Sequence, residues 1–63
     1  MHLLREVEKF LRRTSVTAAR FGREAMGDPR FVFDLRNGRE PRHPTERRVE
    51  HFMNEYQETT HAF

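Results

Sequence analysis

Residues Thr17 to Arg39 read TAARFGREAMGDPRFVFDLRNGR, and this stretch decides the fold of the 63-residue chain. Thr17 is a good N-cap, because its hydroxyl can accept one of the orphan N–H groups of a first helical turn. A helix is expected to follow over Ala18–Met26, with Gly27 supplying a turn that other residues resist. Asp28-Pro29 restarts the chain, with Asp28 as a second cap and Pro29 at a first helical position, where its missing N–H is not needed. The second helix of the pair is expected over 29–36 and stops at Asn37-Gly38, a common helix end. Helix, short turn and capped helix make a helix-turn-helix unit, with its core at about 17–39.

Working outward, residues 2–14 place Leu3, Leu4, Val7, Phe10 and Leu11 at helical spacing, with Arg5, Glu6, Glu8, Lys9, Arg12 and Arg13 on the other face. Glu8 and Arg12 stand four apart in the favourable order for an ion pair. Thr14-Ser15-Val16 is the connector, and Val16 precedes the Thr17 cap, where it can staple onto Phe21. Phe21 and Ala25 share a face, with Ala18 and Met26 close by. On the C-terminal side a basic, proline-restricted loop, Gly38–Thr45, leads to a last helix starting at Pro44 or Thr45. There Val49, Phe52, Met53 and Tyr56 form the stripe that closes the core. Arg47 and Arg48 sit in its first turns, where the helix dipole disfavours cations, which points to another role such as a phosphate.

Phe31, Val32, Phe33 and Leu35 cannot all face one core, because neighbours on a helix are about 100° apart. Val32 and Leu35 are assigned inward, with Phe31 sharing the face of Leu35. Phe33 then has two placements. It either lies outward with Arg30, Asp34 and Asn37, able to touch thymine methyl groups, or turns beneath the last helix.

The same residues carry a resemblance. The segment is similar to the helix-turn-helix of the phage Cro and cI repressors and the wider XRE-type regulators. It shares a capped helix with a small residue in its middle (Thr17, Gly22), a capped second helix with two inward aliphatics (Asp28, Val32, Leu35), then Asn37-Gly38-Arg39 and Pro41. The family's turn glycine falls at Met26, whereas here it stands one place later, at Gly27. The resemblance spans roughly Val16 to Met53. It implies a compact all-α bundle of four helices, or five, formed by residues 1–63 as a single domain. It also implies a bacterial or phage transcription regulator that inserts its second motif helix into the major groove, often as a dimer on a palindromic site. The loop after that helix would lie beside the DNA backbone.

Charge agrees with a polyanionic partner. From Arg12 to Arg48 ten arginines face five acids, a net of +5, while the remaining termini carry Arg5 and Lys9 against five glutamates, a net of −3, giving the chain its formal +2. Arginine forks onto phosphates and guanine edges, and a clustered basic surface is the footprint expected for nucleic acid. Arg30, Phe33, Asp34 and Asn37 are the candidates for base edges. Thr17, Arg20, Arg23, Arg39 and Arg42 are the candidates for phosphates.

Other chemistry finds little support. The chain has no cysteine, which removes disulfides and thiolate nucleophiles. It carries no Gly-rich phosphate loop and no catalytic signature, so no catalytic residue, metal site or cofactor is expected. His2, His43, His51 and His61 lack a metal-binding spacing. No apolar run is long enough to cross a membrane, and charges interrupt the apolar start, unlike a signal peptide. A cytoplasmic, nucleoid-associated protein is expected. A domain this small gains from self-association, so a weak homodimer is expected as well, with a tail from about residue 58 that frays. Two further readings stand beside the DNA regulator. One is a protein-interaction module, such as an antitoxin, an anti-repressor or an adaptor contacting RNA polymerase, favoured by an exposed Phe33 and by Phe63. The other is an architectural recombination accessory factor.

Overall fold

Four helices in the order α1 (Leu3–Thr14), α2 (Ala18–Met26), α3 (Phe31–Arg36) and α4 (His43–Thr60) make up a computed structural model that describes residues 2–60, with side chains through Tyr56. The described residues contain no strand, so the all-α expectation holds with four helices among them. The tail expected from about residue 58 overlaps the backbone of α4, which is helical through Thr60, and the apolar end at Phe63 falls outside what is described.

The core follows from the apolar spacing. Leu3, Val7, Phe10 and Leu11 of α1, Phe21 and Ala25 of α2, Phe31, Val32 and Leu35 of α3, and Val49 of α4 are buried together with Val16. Leu4, Ala18, Met26, Phe52, Met53 and Tyr56 pack against this cluster while keeping part of their surface in solvent. At its back Phe10 meets Phe21 and Tyr56, and Phe21 meets Phe52, each pair with ring centroids 5.4 Å apart and edge to face. That arrangement places a positive ring edge on a negative ring face and adds to area burial.

Local signals set the helix ends. Thr17 Oγ1 accepts from the Arg20 N–H at 3.2 Å, the cap expected of it, and Val16 beside it is buried in the same cluster as Phe21. Gly27 adopts the left-handed conformation (φ 69°) and ends α2, its N–H donating to the Arg23 carbonyl. Gly22 lies where α2 crosses the start of the next unit. A Cβ there would stand 2.3 Å from the Asp28 carbonyl oxygen and 3.2 Å from Phe31 Cβ, so close approach requires glycine.

The start of α3 differs from expectation. It begins at Phe31, not at Pro29, because the Asp28 carboxylate accepts from the Arg30 N–H two residues on, at 2.9 Å. That bond caps a tight turn through Pro29 and Arg30, and the first α-helical bond runs from the Asp34 N–H to the Arg30 carbonyl. Arg30 is therefore the residue before the helix and Asn37 the residue after it. At the far end α4 begins at His43, slightly before the expected Pro44, since the Glu46 N–H already bonds the Arg42 carbonyl at 3.0 Å. Pro44 falls in the first turn, where its missing donor costs nothing.

A second correction concerns Glu8. Its carboxylate does not pair with Arg12. It takes both Nε and Nη2 of Arg36, at 2.7 and 2.9 Å, and so ties α1 to α3 across 28 residues. The hydrogen bond to Arg36 is the main cause that holds Glu8 below the usual carboxylate range, with smaller Coulombic help from Arg36 and Arg12 against desolvation.

Candidate nucleic-acid interface

The site is built on α3, a helix too short to persist alone and dependent on packing. Phe31, Val32 and Leu35 are buried, which fixes the rotation of the helix. Stepping about 100° per residue, these three fill one arc, and Phe33, Asn37, Arg30 and Asp34 fall within a second arc of about 100° on the opposite side. All four base-edge candidates thus share one outward face, with Arg30 and Asn37 flanking the helix rather than lying inside it. Phe33 takes the outward of its two placements. It is 45% exposed, the one large hydrophobic among the described residues to stand so open.

Phe33 is not loose. The Arg36 guanidinium lies 5.7 Å from its ring centroid, and Glu8 binds that same guanidinium. The Glu8 hydrogen bond raises the pKa of Arg36 further above its ordinary value. Glu8, Arg36 and Phe33 therefore form a chain from α1 to the open face. Nothing in the sequence singles out Arg36. Its partner Glu8 lies on another helix 28 residues away, and no local spacing announces that pair.

The basic candidates divide by their pairing. Arg20 is bound to Glu24 at 2.8 Å, a bond that raises its pKa, and Arg39 is bound to Asp34 at 3.1 Å. The Arg20–Glu24 spacing of four residues is visible in the sequence. Arg23, Arg30 and Arg42 are exposed and make no ion pair among the described residues. Arg23 follows Gly22, the residue at the close approach of α2 to the turn. Arg39 and Arg42 line one open hollow with Met26, Phe31, Leu35 and Pro41, between the turn and the loop that leads to α4. Thr17 is exposed, with its hydroxyl engaged in its own cap.

Among the described residues no group of three or more His, Asp or Glu side chains converges as a metal site would require. No described helix is long and apolar enough to cross a membrane. Comparison with protein-family models gives no match, and comparisons with curated proteins and with solved structures give none either.

Proposed function

We propose that this chain is a sequence-specific, double-stranded-DNA-binding transcription regulator of the Cro and cI repressor kind, working in the cytoplasm on the nucleoid. The observation that carries this reading is the outward face of α3. Arg30, Phe33, Asp34 and Asn37 share one arc while the opposite arc is packed into the core. At about 1.5 Å per residue the six residues of α3 span about 9 Å. Across its axis an α-helix with side chains measures about 10–12 Å, which fits a major groove about 12 Å wide. Arg30 and Asn37 are the fork and amide that suit guanine and adenine edges, and Phe33 suits a thymine methyl. Arg23 and Arg42, unpaired and at the flanks, are the phosphate contacts this reading favours, with Arg20 on α2 and Thr17 at its N-cap. The pattern of use is a weak homodimer on a two-fold site.

Selection of bound sites from random duplexes, read beside the protein's mass in solution, tests the proposal. Arg42→Ala and Arg23→Ala should weaken binding to all sequences alike, and each should lower the slope of log affinity against log salt by about 0.9. Arg30→Ala and Asn37→Ala should cost about 1–3 kcal/mol on the best site and relax one base position. The exposure of Phe33 favours a second reading, a protein-interaction module such as an RNA polymerase adaptor. Sequence-indifferent duplex binding at moderate salt, with a protein partner captured through Phe33, would replace the first reading by the second.

A further inference from the structure

The end of α3 folds back on the face that α3 presents. Gly38 has φ 97°, a conformation that favours glycine. Two backbone bonds close the helix there, Gly38 N–H to the Leu35 carbonyl at 3.1 Å and Arg39 N–H to the Asp34 carbonyl at 3.0 Å. This is the Schellman arrangement, and it returns residue 39 to residue 34. The side chains then meet as well, with Arg39 Nη1 donating to Asp34 Oδ2 at 3.1 Å.

We propose that Arg39 is a positioning residue that holds the Asp34 carboxylate for reading an exocyclic amino group, that of cytosine, in the major groove. This inference rests on the DNA-regulator reading above. A carboxylate on a face turned toward a polyanion repels phosphate unless its charge is compensated. Arg39 compensates it through Oδ2, and an ionised carboxylate has further lone pairs on Oδ1 for a second donor. Carboxylates accept from the cytosine amino group, whereas the acceptors of guanine and thymine, and the N7 acceptor beside the adenine amino group, meet them unfavourably. Asp34 stands beside Phe33, four residues after Arg30 and three before Asn37, so its reading position lies between theirs. Arg39 thereby leaves the set of simple phosphate ligands.

The test compares wild type with Asp34→Asn, Arg39→Ala, Arg39→Lys and the double variant Asp34→Asn/Arg39→Ala, by site selection and by titration of labelled duplexes at fixed salt. Thermal melting of each variant verifies its fold. The expected result is a cytosine preference of about fivefold or more at one position in wild type. Asp34→Asn and Arg39→Ala should both relax that position. The double variant should relax it no further than either single change, since both act through one base contact. Arg39→Lys, which keeps a charged donor, should retain most of it. The inference is overturned if Arg39→Ala weakens binding equally on all duplexes, lowers the salt slope as removal of one phosphate ligand would, and leaves the preference intact. A cytosine preference that survives Asp34→Asn also overturns it, with the regulator reading left standing. Wild-type binding that shows no sequence preference at all overturns both.

Discussion

Phe10, Phe21, Phe52 and Tyr56 interlock at the back of the bundle, whereas α3 at the front is a six-residue helix held by two glycines, a carboxylate turn and two ion pairs. The back rests chiefly on buried apolar area, which is non-directional and tolerant of small shifts, with edge-to-face ring contacts adding to it. The front rests on positions where one atom more or one φ region fewer changes what is presented. Substitutions at the back should therefore act on global stability, and substitutions at the front on the geometry of a surface.

The largest effect expected is at the back. Phe21 is fully buried and meets rings from two other helices. Phe21→Ala should cost about 3–5 kcal/mol. At about 0.05–0.15 kcal/mol per residue the whole domain holds only about 3–9 kcal/mol. The variant should thus lose a large part of its stability and melt well below wild type by circular dichroism, and a cooperative melt near that of wild type would break the comparison.

Next comes Gly22→Ala, which drives a methyl against the backbone carbonyl of Asp28. The unit must shift to admit it, at about 1–3 kcal/mol, measured by urea unfolding. Because the clash is with the turn before α3, amide exchange should accelerate over residues 28–36 more than in α1. Equal acceleration everywhere would mean that front and back are one cooperative unit.

Gly38→Val should cost about 1–2 kcal/mol, since a β-branched residue must enter the left-handed region. It should also loosen the Arg39–Asp34 ion pair, visible as altered amide shifts at both residues. A neutral result in both readouts would remove Gly38 from the closure of α3.

The smallest effect concerns the partly exposed Glu8–Arg36 pair, worth up to about 1 kcal/mol. The folded pKa of Glu8 lies below its ordinary 4.5. Its contribution is therefore complete above that value and is lost as pH falls through the lowered folded pKa. Glu8→Gln should melt slightly earlier than wild type at neutral pH, and the gap should close in acid. A gap that widened with acidification would contradict the pairing.

Much of the scaffold was legible in the residues themselves. The stripes Leu3-Val7-Phe10-Leu11 and Val49-Phe52-Met53-Tyr56, the Thr17 cap and the stop at Gly27 are all local or periodic signals, and each reappears in the fold. Such signals are legible because helix geometry repeats every 3.6 residues and caps act within a turn. Tertiary structure alone decided the rest. Phe33 had two placements with equal local support, and only the packing of Phe31, Val32 and Leu35 against α1 and α2 turned it outward. Asp28 has the chemistry of a helix cap and of a turn former alike, and the close approach of its carbonyl to Gly22 accompanies the turn, so α3 starts two residues later than the capping pattern implied. Glu8 had Arg12 at ideal helical spacing, yet a rigid two-point fork from Arg36 outcompetes a flexible neighbour on the same helix. In each case the sequence offered several partners of the right chemistry, and the choice among them depended on distances that exist only once the helices have packed.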